Sequence, residues 1–281
     1  YRKRPRAMGL VALSVPLGGS VLSLVYQYLV ANYGWRSAFF TLGVAVWLLV
    51  VLPGLLFLRR QPEDLGLKPD GPTEAEHTIT FNNESPASAA ELSWQRHDAL
   101  RTAALWLFVA SALLASISTG GIAFHMAAHL TDVNMSAAVA AGVVSWMALS
   151  GALGNGLWGA LAERIEPRRL SIVTMLLAAL AVALLMSAQS PLIAFLFGLL
   201  FGLSARGSAI LMQILLARYY GRRAFGAISS VLDPFHKGGL GLGPLLAGLA
   251  YDLTGSYATI FAAFLVCYCV AAALIFFARQ P

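Results

Sequence analysis

The chain has 281 residues, of which 58% are hydrophobic and only 11% are charged. Soluble domains carry about 25% charged residues, so this composition excludes an ordinary soluble domain and indicates a membrane protein. The formal net charge of +6 does not indicate a nucleic-acid partner, because the basic residues lie in short clusters between apolar runs.

The apolar runs predict an all-α polytopic membrane protein. Each run is close to the roughly 20 residues that an α-helix needs to cross a bilayer. We therefore expect a lipid bilayer, that of a bacterial inner (plasma) membrane, around eight transmembrane helices at residues 8–32, 36–58, 103–130, 136–163, 169–188, 191–218, 223–250 and 257–278.

Outside the eight segments, nearly all Lys and Arg residues lie in the loops on one side of the membrane. The opposite side has only Arg36. Because cytoplasmic loops of membrane proteins carry an excess of Lys and Arg, the crowded side is predicted to be cytoplasmic. That side includes the C-terminus and the long loop 59–100.

The loop 59–100 divides the chain into two parts. It holds most of the acidic residues together with Pro and Gly, and is predicted to be a mobile cytoplasmic linker between residues 1–58 and residues 101–281. The chain begins at Tyr1 within a basic cluster. We expect no signal peptide before it and expect the chain to be a fragment whose upstream part is missing.

The first and seventh segments resemble each other. They open with Arg6-Ala-Met-Gly9 and Arg223-Ala-Phe-Gly226, and their exits contain Gly34 and Gly255. Repeated helical units of this kind are typical of secondary transporters, in which the substrate site lies between the repeats.

The seventh segment carries Asp233, Pro234, His236 and Lys237 near its middle. A charge at that depth costs several kcal/mol unless it is paired or hydrated, so such residues are functional candidates. Lys237 follows Asp233 by one helical turn, a spacing that allows an ion pair. The pair is either a neutralised structural element or part of a substrate or ion path. Pro234 is expected to kink the helix.

Three further polar residues lie in apolar segments. Arg206 is near the middle of the sixth segment and either contacts a substrate or holds Asp233. His125 and His129 share a helix face and are expected to line a pocket or exchange protons, with simple packing as the alternative. No third metal ligand is apparent besides Asp132, so no metal site is predicted.

The loop between the fourth and fifth segments reads Gly159-Ala-Leu-Ala-Glu163-Arg164-Ile-Glu166-Pro-Arg168-Arg169. It resembles the cytoplasmic signature loop of the major facilitator superfamily, with Glu163 at the usual aspartate and Glu166 where a glycine is expected. The resemblance implies a gating role for Gly159, Glu163, Arg164, Arg168 and Arg169. The alternative is that these charges only set the topology.

Other stretches are similar to the oxalate/formate antiporter and monocarboxylate transporter branch of that family. They are Tyr219-Tyr-Gly221, Gly243-Pro244 and the segment containing His125 and His129. The resemblance implies a twelve-helix carrier, of which residues 1–58 are the last two helices of the N-terminal bundle and residues 101–281 the six-helix C-terminal bundle. In oxalate-type relatives a lysine of the helix that corresponds to the seventh segment binds the substrate carboxylate, and the resemblance implies that Lys237 is the matching residue.

The sequence thus predicts a secondary active transporter of a small organic anion, a mono- or dicarboxylate, that works by alternating access as an antiporter or symporter. Lys237, Arg206, His125 and His236 are the predicted substrate-binding residues, and Asp233 and His129 the coupling or ion-pair residues, with protons as a possible second substrate. No ATP-binding loop, cofactor motif or intramembrane protease motif is found, so we expect no enzyme and no cofactor. We also expect no nucleic-acid partner, and a monomer.

Two alternatives stay open. One is a proton-coupled cation or drug exporter of the same superfamily, in which Asp233 would be the primary residue. The other is a non-transporting membrane sensor of transporter shape, which a large signalling domain upstream or downstream would distinguish.

The topology can be tested with single cysteines at Ser88 and Ser256 in a background without Cys267 and Cys269. Because the Lys and Arg bias places the long loop inside, a membrane-impermeant thiol reagent should label position 256 in intact cells and leave position 88 unlabelled. The reverse labelling pattern would refute the assignment.

Overall fold

The computed structural model describes residues 4–57, 94–221 and 225–280. These ranges contain helices and no strand, as the sequence predicts. The helices are α1 (Arg4–Val46), a π-helical turn (Trp47–Val51), α2 (Leu52–Phe57), the short α3 (Arg96–Leu100), α4 (Ala103–Asp132), α5 (Ala137–Ala162), α6 (Pro167–Met186), α7 (Pro191–Tyr220), α8 (Phe225–Thr254) and α9 (Ala258–Phe277).

Within the described residues, six helical stretches are long and apolar enough to cross a membrane, and α8 is not among them. The first of these stretches, Val21–Leu55, joins parts of the first two predicted segments. The predicted linker lies outside the described residues, except for residues 94–100, which contain α3. The residues thus fold as an all-α membrane protein. The seventh predicted transmembrane segment is the helix α8, which does not qualify as a membrane span by length and composition alone.

The chain divides into two compact units. The described residues of Tyr1–Val15 and Val25–Ala90 form one unit, and those of Pro16–Leu24 and Glu91–Pro281 form the other. In the first unit, α1 is interrupted at Gly34, whose φ is 77°. The rings of Tyr26 and Phe39 lie 5.8 Å apart on either side of it, so the two halves of the helix pack side by side.

Gly255, the counterpart of Gly34 in the sequence repeat, also has a positive φ, of 68°. A left-handed backbone conformation is readily adopted only by glycine, which explains why both segments end at this residue type. The two repeat copies therefore share the conformation of their exits.

In the second unit the six long helices α4–α9 form a bundle. The closest partners are α4 with α8 and α5 with α7, while α6 packs against α7, and α9 packs against both α4 and α6. Contacts between the α4–α8 pair and the α5–α7 pair are sparse. The order of close neighbours is thus α8, α4, α9, α6, α7, α5, and the two pairs leave space between them.

Glycines allow the close approach within each pair. A methyl group on Gly239 or Gly243 of α8 would overlap α4 at Ser116 or at the Ile117 carbonyl. In the other pair, a methyl group on Gly202 of α7 would overlap the Met147 carbonyl of α5. Membrane helices gain no hydrophobic energy from leaving lipid, so close backbone packing of this kind holds them together.

Helix α8 continues through both Pro234 and Pro244. Pro244 has no amide hydrogen, so the Leu240 carbonyl lacks its usual helical donor. The backbone of Gly120 on α4 packs directly against this carbonyl. A side chain at position 120 would therefore collide with the carbonyl that has lost its helical donor.

The glycine contacts predict a position-specific effect on stability. Gly243→Ala should destabilise the folded protein by about 1–3 kcal/mol, because the added methyl group overpacks the contact with Ile117. The measurement is the thermal unfolding temperature of the purified protein in detergent.

Gly241→Ala is the matched control on the same helix, because nothing lies within 4 Å of its methyl position. This variant should keep or gain up to about 1 kcal/mol of stability through the better helix propensity of alanine. Equal unfolding temperatures for the two variants would contradict the packing explanation.

Candidate functional site

A cavity of about 380 Å³ lies between the α4–α8 pair and the α5–α7 pair. Its walls are mainly apolar, and Met175 of α6 also contributes to them. A volume of this size is within the range of pockets that bind small molecules. The separation of the two helix pairs therefore creates a candidate binding site inside the second unit.

Charged and amide side chains enter the cavity from two helices. Arg206 and Gln213 come from α7, about two helical turns apart on one face, and Asp233 and His236 come from α8. Within the described part of the chain, neither Arg206 nor Asp233 forms an ion pair. The expected alternative in which Arg206 holds Asp233 is therefore not seen in this conformation.

Lys237 is exposed and is not among the residues that line the cavity. At 100° per residue, it lies about 40° beyond Asp233 around α8, at the edge of the lining face. Its ion pair with Asp233, which the spacing allows, is absent among the described residues. The structure thus brings together Arg206, Asp233 and His236, and leaves Lys237 beside them.

His125 lies towards the end of α4 and uses both of its ring nitrogens. Its Nε2 is 3.0 Å from the Pro244 carbonyl oxygen, and its Nδ1 is 3.1 Å from the Tyr257 hydroxyl. A carbonyl can only accept, so Nε2 carries the hydrogen, and in the neutral imidazole Nδ1 then accepts from the Tyr257 hydroxyl.

His129 also joins helices. Its Nε2 donates to the Leu185 carbonyl oxygen at 3.2 Å, and its ring packs edge-on against Phe261 with 5.1 Å between the ring centres. Neither histidine lines the cavity. The geometry therefore matches the packing alternative for both residues: they fasten this end of α4 to α6, α8 and α9.

The predicted gating residues lie at the end of α5 (Gly159), in the loop that follows it (Glu163 and Arg164) and in the first turn of α6 (Arg168 and Arg169). Glu163, Arg164 and Arg169 are exposed, and Arg169 pairs with Glu166 at 3.2 Å. Within the described residues Glu163 forms no ion pair. Nothing lies near a methyl position on Gly159. Within the described residues, these four residues form no side-chain hydrogen bond or ion pair with another helix that would explain a latch.

Arg168 differs from its neighbours because its guanidinium reaches the end of α9. It donates from Nε to the Ile275 carbonyl oxygen at 3.2 Å and from Nη2 to the Phe276 carbonyl oxygen. The last carbonyls of a helix lack helical donors, and a cation at that end is also favoured by the helix dipole. Tyr219 of α7 donates to the Ala278 carbonyl oxygen just after the end of α9, at 2.9 Å.

The sequence matches the profile of the Major Facilitator Superfamily over residues 2–147 and again over residues 110–281. Together the two matches cover nearly the whole chain. The chain belongs to the major facilitator superfamily. It is therefore an integral membrane protein and a membrane transporter of that superfamily, and this membership points away from an enzyme. A search of curated proteins finds no match.

In this superfamily member, sequence reasoning found three of the four strongly polar cavity residues and missed Gln213. An exposed glutamine near the end of a helix carries little signal by itself. Its separation of seven residues from Arg206, which places both on one helix face, is the pattern that could have indicated it.

The Arg168 contact predicts a local change in dynamics. Arg168→Gln should speed amide hydrogen exchange in the last turn of α9 by about tenfold or more, because a charged donor to free carbonyls is lost. Mass-spectrometric hydrogen exchange of the peptide covering residues 272–280 provides the measurement.

Arg169→Gln removes a neighbouring charge whose ion pair within the described residues is with the exposed Glu166. This control should leave exchange in that peptide unchanged. If the two variants accelerate exchange equally, the effect is one of charge and not of the Arg168 contact.

Proposed function

We propose that this transporter carries a small organic anion, a mono- or dicarboxylate, by alternating access. The observation that supports this is Arg206, which lines a largely apolar cavity and forms no ion pair within the described part of the chain. A guanidinium stays charged at all physiological pH values, and its planar fork matches the two oxygens of a carboxylate. Apolar walls strengthen such an attraction relative to water.

Asp233 is the candidate coupling residue in this mechanism. It shares the cavity with Arg206, and an aspartate can gain or lose a proton whereas an arginine cannot. His236, on the same face of α8, is the second titratable group there. Proton symport or anion exchange would both use this arrangement, and neither needs a cofactor.

Lys237 is the second candidate cation for the substrate. Its position at the edge of the lining face lets a long, flexible ammonium side chain reach the mouth of the cavity. This placement supports the proposed relationship to the oxalate/formate antiporter and monocarboxylate transporter branch. His125, which is bonded to Pro244 and Tyr257, has less scope to bind substrate.

Arg168 is the proposed contact of the inner gate. It connects the first turn of α6 to the end of α9, so its hydrogen bonds would have to break if these two helix ends separate. Glu163, Arg164 and Arg169, together with Gly159, complete the proposed gating loop. We further propose that the protein works as a monomer in a bacterial inner membrane, with this loop, the linker and the C-terminus in the cytoplasm.

A cation or drug exporter is the second candidate, and the position of Asp233 in the cavity favours it. In that case Asp233 would bind the cationic substrate or its counter-proton, and Arg206 would be secondary. Anion transport requires the positive charge of Arg206, whereas cation export requires the negative charge of Asp233.

Uptake of radiolabelled mono- and dicarboxylates by cells producing the full-length protein provides the test. Arg206→Gln should reduce uptake at least about tenfold, because the charge-assisted hydrogen bonds from this exposed guanidinium to the substrate carboxylate are lost. Arg206→Lys should rescue poorly, since an ammonium cannot form the planar fork. Lys237→Ala should weaken uptake, with partial or no rescue in Lys237→Arg.

Arg218→Gln is the matched control, because Arg218 lies on the same helix, is exposed and does not line the cavity. This variant should transport normally.

Asp233→Asn should change affinity or coupling without abolishing anion binding. Normal carboxylate uptake by Arg206→Gln and Lys237→Ala, combined with a dead Asp233→Asn, would refute anion transport and favour the exporter.

A further inference from the structure

We propose that the segment from Trp94 to Trp106, which contains α3 and the first turn of α4, binds the headgroup of an anionic phospholipid such as phosphatidylglycerol. In this site the guanidinium of Arg101 binds the lipid phosphate, and the ring of Trp106 packs against the glycerol and the upper acyl chains. None of these residues lines the cavity, so the site does not depend on which substrate the protein carries.

The segment is fixed to the bundle by its buried side. Ala99 is fully buried, and the ring of Trp94 meets the Tyr220 ring of α7 edge-on, with 5.7 Å between the ring centres. The Thr102 hydroxyl donates to the Ala99 carbonyl oxygen at 2.7 Å. Because this uses its hydrogen, it accepts from the Tyr220 hydroxyl, also at 2.7 Å. These contacts hold α3 against the ends of α4 and α7.

Trp106 indicates the depth of this segment in the bilayer. Its Nε1 donates to the Leu100 carbonyl oxygen at 2.9 Å, and the residue is 48% exposed. Helix α4 has 30 residues and is about 45 Å long, so it extends beyond a hydrocarbon core of about 30 Å. An exposed indole in the first turn of such a helix, with its N–H directed to the chain before it, is typical of the membrane interface. The turn at Leu100 and Arg101 is therefore at headgroup depth.

Arg101 supplies the positive charge of the site. It follows Leu100 directly, is exposed and forms no ion pair among the described residues. Asp98 precedes it by three residues, a spacing that allows a pair, but the ion pair of Asp98 in this part of the chain is with His97, at 3.7 Å. An unpaired guanidinium can bind a phosphate through two parallel hydrogen bonds. Arg101 thus presents a phosphate-binding group beside the exposed ring of Trp106.

The charges of the segment favour an anionic over a zwitterionic headgroup. Arg96, about 140° from Arg101 around α3, is also exposed and has no ion pair within the described ranges. A zwitterionic headgroup carries a choline or ethanolamine cation, which both arginines repel, whereas phosphatidylglycerol carries only the negative charge. Each basic side chain near an anionic membrane surface strengthens the attraction about fivefold.

Quenching of Trp106 fluorescence by brominated lipids measures binding at this site. The purified full-length protein is reconstituted in phosphatidylcholine with an increasing fraction of phosphatidylglycerol, and the bromine is on the acyl chains of one lipid or of the other. Subtracting the signal of Trp106→Phe in the same vesicles isolates the contribution of Trp106. Trp158→Phe is the control for the subtraction, because Trp158 is buried and its contribution should change little with either brominated lipid.

Phosphatidylglycerol should bind beside Trp106 at least about tenfold more tightly than phosphatidylcholine. Arg101→Gln should lower this preference about fivefold, and Arg96→Gln should lower it less because its side chain lies on another side of α3. Asp98→Asn should raise the preference, since it removes the acid closest in sequence to Arg101. Arg169→Gln is the matched control: it removes an exposed charge in the first turn of α6 and should leave the preference unchanged.

Native mass spectrometry provides a second measurement that does not use Trp106. Protein purified in detergent with added phosphatidylglycerol should retain fewer molecules of this lipid in Arg101→Gln than in the unmodified protein or in Arg169→Gln. Equal retention in all three would contradict the proposed site.

Equal quenching by the two brominated lipids in the unmodified protein would also overturn the inference. If Arg169→Gln lowers the preference as much as Arg101→Gln, the attraction comes from overall surface charge and no site exists at Arg101. Reversal of the preference by soluble glycerol phosphate would refute a lipid site as well, because that site also requires the acyl chains at Trp106.

Discussion

The close approach of helix backbones within the α4–α8 and α5–α7 pairs is the constraint on which the rest of the second unit depends. Gly239 and Gly243 allow one pair, and Gly202 allows the other. In a bilayer, packing and interhelical hydrogen bonds replace the hydrophobic effect as the cause of association. Because each pair is held so tightly, the space in the bundle opens between the pairs, and this space is the cavity.

Most hydroxyl groups of the cavity wall have hydrogen-bond partners within the protein. Serine and threonine hydroxyls bond to carbonyls of their own helices, as an apolar surrounding requires for any polar group. Arg206 and Asp233 differ, since both line the cavity and neither forms an ion pair among the described residues. The guanidinium of Arg206, among methionine and alanine side chains, attracts an anion, and the proposed transport function supplies one.

The sequence by itself determined the fold class and much of the chemistry. Runs of about 20 apolar residues define membrane helices because no other segment satisfies its own backbone in lipid. Gly34 and Gly255 mark the exits of repeated segments, and both have the positive φ that glycine allows. Arg206, Asp233 and His236 were predictable as candidates because charge within an apolar segment is costly wherever it lies.

Tertiary structure decided which candidates meet. His236 and Lys237 are adjacent in sequence, yet one lines the cavity and the other is exposed, because consecutive residues point 100° apart around a helix. Arg168 reaches α9 whereas Arg169 stays at the surface. His125 and His129 bond to carbonyls of distant helices, and Gln213 joins the cavity. Such pairings depend on the rotation and neighbours of each helix, which the order of residues along one helix does not specify.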